Sequence, residues 1–489
     1  MNEMNGKSMI LGKMKAILIF VLFIIVPNAF SQSGTQELRT KIDSIYSNPF
    51  FLKSIMAVDV FDLTANKYLY QRNENLLVRP ASNLKILTTS AGLLFLKPNY
   101  QFQTTVYYSG QIINGTLYGN LFIQGGCDPD FSTKDIEKIS SEIKSIGIKE
   151  ITGNLFGDIS MMDSLFWGKG WMWDDDPSTD APYLTPLNVN ENSIGVVVKG
   201  TRLGKRASVN LIPKTDFLHI YNNSITIPAD SPSTLSITRE WIDRKNNILV
   251  NGGVKLTVPD AIQDTTRLNV YNPELYFLSL LKGHLQNDGI YLDGKLYFAN
   301  TPNYAIKLSD INRKLSDVVS NTNKISYNLG AEMVLYALSA KCYGKPASAI
   351  NGIKMVDSLI AMSGLSPADY RIVDGSGVSH YNLISTETIV SVLKYFYFNH
   401  PDIFKIIYNS FPVAGVDGTL KYRMQNYPVQ NNVHAKTGSL SGVTSLSGFV
   451  KSKNDHLLLF SVIINDFVGS AKNGRQFQDE ICNILASMK

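Results

Sequence analysis

The two ends of this chain read as halves of one α/β unit, and the long stretch between them has a different texture, which leaves few folds open. Near the start, Ile55 to Asp62, a turn at Thr64-Ala65-Asn66 and Lys67 to Tyr70 read as a hairpin. Residues 82 to 96 follow as a helix with Leu84, Leu87, Ala91 and Leu94 on one face. Helical patterns return over Asn328 to Ala340, Ser348 to Met362 and Thr386 to Phe398. Three apolar strand-like runs close the chain, Asn432 to Thr437, Thr444 to Val450 and Leu457 to Ile464, before a last helix over Gly474 to Met488. Between about 101 and 300 the pattern is short alternating runs with Gly turns: Phe102 to Tyr108, Asn114-Gly115, Leu117 to Gln124, and Asn251-Gly252-Gly253 before Val254 to Val258. Two helices interrupt it, Lys134 to Lys144 and Pro273 to Leu285, the second with Asn272 as N-cap and Pro273 at its first position. The prediction is a mixed α/β domain, an antiparallel sheet flanked by helices, split by a β-rich insert of two subdomains. Its boundaries are set at 1–31 for a leader, 32–97 and 302–489 for the two parts of the sheet domain, and 98–301 for the insert.

The leader is a reading of its own. Lys7, Lys13 and Lys15 precede an unbroken apolar run from Ala16 to Val26, and Ala29 and Ser31 are spaced as a cleavage site needs. This pattern predicts a secretory signal peptide cut after about Ser31, hence an exported, periplasmic protein, since the run falls short of the roughly 20 residues that span a bilayer. No stable membrane span is expected elsewhere. Against 46 Lys+Arg stand 41 Asp+Glu, a balance too even for the basic stripe that phosphate backbones demand, so nucleic acid is excluded as a partner. Three cysteines, Cys127, Cys342 and Cys482, allow at most one intrachain disulfide, so the fold must rest mainly on its core. Nothing in the sequence sets an oligomeric state.

Chemistry enters with Ser82-Asn83-Leu84-Lys85 at the start of the first helix. An i, i+3 spacing puts the hydroxyl and the amine on one face, and a desolvated lysine can take a proton from a serine. Alone the motif is weak, because Ser141 to Lys144 and Ser391 to Lys394 repeat it on ordinary amphipathic helices. Ser326-Tyr327-Asn328 opens a later helix, and Lys436-Thr437-Gly438, which occurs once, lies near the end of a strand. In the order S-x-x-K, S-x-N, K-T-G these form the set of the penicillin-recognising serine enzymes.

With its long gap from Ser82 to Ser326, the chain resembles the D-alanyl-D-alanine carboxypeptidase/endopeptidase family of the penicillin-binding-protein 4 type, peptidase family S13. Supporting segments are Arg79-Pro80-Ala81, Gly125 to Pro129, Gly170 to Asp175, Asp374 to Gly377 and Pro412 to Leu420. The resemblance implies a penicillin-binding-protein/β-lactamase-like transpeptidase domain. It also implies a serine DD-carboxypeptidase, with endopeptidase action on crosslinks as an added activity, whose partners are peptidoglycan stem peptides and, as covalent inhibitors, β-lactams. Ser82 would be the nucleophile and Lys85 its base, held near neutral by Lys436 and a buried site. Ser326 would relay a proton to the leaving amine, and Asn328 would hold Lys85 and the substrate amide. Lys436, Thr437, Gly438 and Ser439 would form the wall that binds the terminal carboxylate, with the N–H groups of Ser82 and Ser439 as the oxyanion hole.

Several positions depart from the family pattern. Cys127 stands where Gly is often found, His380 where Arg is, and Ser441 where some members carry a longer polar residue. By resemblance Asp175 would meet the amine of a diaminopimelate side chain, with His380 and Ser441 as neighbours; by residue type alone it is a solvated loop acid between Asp174 and Asp176. His380 reads as a hydrogen-bonded structural residue, and Trp171 and Trp173 read as insert core rather than sugar-stacking rings. The six histidines lack zinc spacing, and there is no phosphate loop and no G-x-S-x-G elbow, so no metal or cofactor is expected. Two other readings stand beside the carboxypeptidase. A serine β-lactamase is opposed by the insert and by the lack of a dedicated deacylating Glu motif. A silent cell-wall binding protein is opposed by the intact set of five polar residues.

Overall fold

The computed structural model describes residues 34–256 and 265–489; the leader over residues 1–31 lies outside them. The hairpin forms as read, Ile55–Asp62 and Lys67–Arg72, because the Asp62 carboxylate accepts the N–H groups of Thr64 and Ala65 at 3.0 and 2.9 Å and closes the turn. It joins the C-terminal strands in one antiparallel sheet ordered His434–Leu440, Val443–Lys451, Leu457–Asn465, Ile55–Asp62, Lys67–Arg72. Pairing of Ile55 with Asn465 through Asp62 with Leu458 is what unites the two ends of the chain.

Period-2 alternation then decides which core each residue enters. Met56, Val58 and Val60, with Leu458, Phe460, Val462 and Ile464, face a core closed by a helix over residues 34–46 and by the last helix, Lys472–Ser487. On the other face Ala57, Leu459 and Ile463 enter a core closed over these strands by the helix Thr386–Asn399 and shared with the helix Leu84–Phe95, which is buried all round, and the helix Asn328–Tyr343. Two further helices here, Leu315–Lys324 and Pro401–Ser410, were not among those predicted.

The insert is β-rich as expected, with four sheets of three, three, four and five strands; most of its buried apolar residues form one core, while Phe102, Cys127, Met161, Met162, Trp171, Ala181 and Leu184 join the core of the sheet domain. Ile306–Lys314 pairs with Gln101–Tyr108 in the five-stranded sheet, so we propose that the insert ends at Lys314 and not at 301. Leu117 to Gln124 is two strands, Thr116–Tyr118 and Leu121–Gln124. Asn251-Gly252-Gly253 is no turn: it lies inside the strand Asn247–Lys255, where Gly252 at φ +91 lets the backbone pass a carbonyl, that of Thr234, which a Cβ would meet at 2.1 Å. Asn272 precedes the helix Pro273–Asn287 in a left-handed conformation and its side chain caps nothing. All three cysteines are free. Cys127 adopts φ 59, a left-handed conformation that glycine takes without strain, which accounts physically for Gly being common there. Among the described residues no helix is long and apolar enough to cross a membrane.

Candidate active site

Ser82 sits in a short 3-10 turn, Ala81–Asn83, that leads directly into the helix Leu84–Phe95. One turn later Lys85 is fully buried, and its Nζ donates to Ser82 Oγ at 2.9 Å, Asn328 Oδ1 at 2.6 Å and the Ser376 carbonyl at 2.6 Å. Ser326, at φ 63, turns the chain just before the helix Asn328–Tyr343 and accepts from Lys436 Nζ at 2.8 Å. Lys436 is also fully buried and donates to the Thr437 carbonyl at 2.8 Å. The three sequence motifs therefore meet, linked by hydrogen bonds to two buried amines.

Close approach explains the glycine of the third motif. A Cβ on Gly438 would fall 2.2 Å from Ser445 Oγ and 2.9 Å from the Ser82 nitrogen, so only glycine lets the strand His434–Leu440 lie against the Ser82 turn. That strand is at the edge of the sheet; Val413 bridges its outer side at His434, and beyond this no described strand pairs with it.

Burial pushes the Lys85 amine down to about 8, with Asp374, Glu332 and Asp180 acting against the drop. Lys436 is lowered well below the usual lysine range, by burial first and then by the charge of Lys85. Of the two causes expected for Lys85, Lys436 and a buried site, burial is the one that lowers it here, opposed by the three carboxylates.

Behind the lysines lies a layer that motif reading missed. Glu332 Oε1 accepts the N–H groups of Gly375 and Ser376 at 3.0 and 2.8 Å, and its own protonation is favoured by burial and by nearby Asp374. Asp374 in turn accepts Trp171 Nε1 at 2.9 Å and the Ser379 N–H at 2.7 Å. This frame orients the Ser376 carbonyl that holds Lys85. Tyr327 Oη donates to the Pro129 carbonyl at 2.7 Å, so the Gly125 to Pro129 segment sets the second motif. Thr419 Oγ1 lies 2.7 Å from Thr437 Oγ1, tying the Pro412 to Leu420 segment to the third.

A cavity of about 470 Å³ opens over this centre, lined by Ser82, Ser326, Asn328, Thr437, Gly438 and Ser439, while Lys85 and Lys436 lie beneath it. Its walls divide by charge. Asp175 and Asp180 come from the insert, and Asp180 also accepts Asn328 Nδ2 through its carbonyl at 2.6 Å. Arg475 and Arg423 stand near Ser439, Arg475 donating to Ser439 Oγ at 3.1 Å, whereas Arg423 pairs with Asp479.

Asp175 is therefore a wall residue, with burial raising its carboxyl and the Met172 N–H accepted at 2.8 Å. His380 and Ser441 do not line the cavity. His380 makes no hydrogen bond to a described residue, against expectation; burial and then Arg79 favour its neutral form, and Asp175 opposes this. Ser441 is exposed in the turn after His434–Leu440, because the strand carries Ser439 to the cavity rim and the chain reverses beyond it.

Compared with known proteins, residues 38–488 match the D-Ala-D-Ala carboxypeptidase 3 (S13) family. The chain belongs to the S13 family. It is 27% identical to the D-alanyl-D-alanine carboxypeptidase DacB of Haemophilus influenzae, over 90% of this chain and 89% of that protein. A D-alanyl-D-alanine carboxypeptidase of Actinomadura sp. is 27% identical, over 89% and 82% of the two chains. The crystal structure of penicillin-binding protein 4 from Haemophilus influenzae superposes with a TM-score of 0.79 at 26% identity, covering 93% of this chain and 99% of that one. This S13 enzyme thus has a penicillin-binding-protein fold and is a serine-type peptidase. Within the S13 frame, Asp374 was legible only as part of a family segment, and Glu332, Asp180 and Arg475 were not legible as site residues. Each is one polar residue on an unremarkable helix or loop, placed by long-range packing.

Proposed function

We propose a division of labour for this serine DD-carboxypeptidase in which Ser82 attacks the carbonyl between two D-alanines of a peptidoglycan stem and forms an acyl-enzyme. Lys85, in its neutral form, takes the Ser82 proton, and the N–H groups of Ser82 and Ser439 receive the oxyanion, where one donor is worth about 3 kcal/mol. Ser326, hydrogen-bonded to Lys436, passes a proton to the departing D-alanine amine. Thr437, Ser439 and the Arg475 guanidinium receive the terminal carboxylate, which favours a chain end. Asp175 and Asp180 suit a cationic group on the third residue of the stem, diaminopimelate in the family pattern. Water then releases the peptide. Cleavage of D-Ala crosslinks is the same chemistry with a longer leaving group, and β-lactams, as mimics of the D-Ala-D-Ala end, trap Ser82. One solved S13 relative, penicillin-binding protein 4 of Haemophilus influenzae, is known in complex with a β-lactam. We further read residues 1–31 as the export signal that delivers the enzyme to the periplasm, cut after about Ser31.

The observation that carries this reading is the buried Lys85 amine 2.9 Å from Ser82 Oγ, under a cavity whose walls carry opposite charge. D-Alanine release from a stem pentapeptide is expected from the wild type and not from Ser82→Ala; a wild type that releases none refutes the assignment for that substrate. Labelled penicillin should stay on the protein for minutes, and rapid turnover would point to a β-lactamase instead.

A further inference from the structure

Trp171 is buried and holds Asp374, but Trp173, two residues on, is 71% exposed. An indole left in water beside an active site invites the question of what covers it. Trp173 faces Trp241, from the far side of the insert, with ring centroids 5.1 Å apart and planes 32° from parallel. Around them Ile242 is 75% exposed, and the Arg244 guanidinium lies 5.1 Å from the ring centre of Phe166. Together they line a cleft of about 140 Å³.

Two features show that the fold builds this cleft. Asp176, just after the Trp173 turn, is buried against Arg239, two residues before Trp241, and this ion pair is closed by Tyr183 Oη on Asp176 at 2.7 Å and Asn269 on Arg239 at 3.0 Å. The clamp brings two distant segments side by side and leaves their indoles outside. The cleft also lies close to the Ser82 cavity, because Asp175 lines that cavity and lies two residues, at most roughly 7 Å of chain, from Trp173.

We propose that the Trp173–Trp241 cleft binds the glycan to which the stem peptide is attached, as a β-linked pair of N-acetylated hexosamines. Resting on the peptidoglycan reading above, the argument is one of reach and chemistry. A stem of four or five residues extends roughly 13–18 Å, so a peptide whose end lies at Ser82 and which passes Asp175 has the length to bring its sugar beyond Asp175 toward the neighbouring Trp173. The apolar faces of sugar rings stack on indoles, and Arg244 offers donors to acetamido and hydroxyl oxygens. A lipid surface is a different occupant, and nothing basic beyond Arg244 lines the cleft to meet anionic headgroups.

The test compares a disaccharide-linked pentapeptide with the same free pentapeptide. The wild type should show kcat/KM roughly tenfold higher on the linked substrate, as one aromatic anchor is typically worth. Trp241→Ala and, independently, Trp173→Ala should erase that ratio while the free pentapeptide is hydrolysed as before. Equal kcat/KM on both substrates in the wild type, or a ratio that survives both variants, overturns the proposal. So does sedimentation with phosphatidylglycerol vesicles that is lost in Trp241→Ala while the substrate ratio stays. If neither substrate releases D-alanine, the carboxypeptidase reading fails, and titration with the peptide-free disaccharide then decides: quenching of indole fluorescence that Trp241→Ala removes supports the cleft, and no quenching overturns it.

Discussion

Two clusters of buried charge, one under the catalytic cavity and one in the insert, solve the same problem in opposite ways. In the insert, Arg239 touches Asp176 directly, and Tyr183, Asn269 and the Lys245 carbonyl bind round the pair, leaving Arg239 Nε without a partner among the described residues. Under the cavity, Lys85 touches a hydroxyl, an amide oxygen and a carbonyl, while Glu332 and Asp374 bind the backbone behind. A contact ion pair neutralises its own desolvation and fixes geometry. An amine held by neutral acceptors stays poised between its two protonation states, as a base must be.

The contrast can be broken by experiment. The largest effect is expected from Lys85→Met, which should slow acylation by fluorescent penicillin by roughly 10²- to 10⁴-fold while the melting temperature holds or rises, since a costly buried amine is gone. A large fall in melting temperature would show that Lys85 serves the fold. For Arg239→Met the expected pattern is reversed. Urea unfolding should report a loss of about 3–5 kcal/mol, because Asp176 is left buried without its partner, while free-pentapeptide hydrolysis persists at low temperature. Undiminished stability would refute the clamp. Smaller again, Arg475→Ala should raise KM for the pentapeptide about tenfold with kcat little changed, the mark of lost carboxylate binding; an unchanged KM removes Arg475 from that wall. Last, the acylation rate should rise with pH through about 8, since the neutral amine is the base and deprotonates above its pKa; the gain between pH 7 and 8 should be roughly fivefold. A rate that falls over this range would contradict the assignment.

Much of the fold was legible because local rules agree with it. Period-2 runs such as Leu457 to Ile464 and the Asp62-anchored turn read directly as the sheet, and the buried faces of Leu84–Phe95 and Asn328–Tyr343 read as helices. The helices Leu315–Lys324 and Pro401–Ser410 did not, since each is only ten residues long and the first shows few apolar residues. Asn272 does stand at the N-cap before Pro273, though its side chain makes no cap bond, whereas Asn251-Gly252-Gly253 misled because Gly at left-handed backbone serves a turn or a strand distortion equally well.

By itself the sequence determined which residues come together: Ser82 and Lys85 through i, i+3 spacing, and Ser326, Asn328 and Lys436 by motif. Only the tertiary structure decided how those residues are tuned and what surrounds them. Lys85 is lowered because helices and sheet close over it, the carboxylates of Glu332 and Asp374 arrive from other segments, and Trp173 meets Trp241 because Asp176 meets Arg239. Spacing within one element is a local property, whereas desolvation and approach across distant segments exist only once the chain has packed.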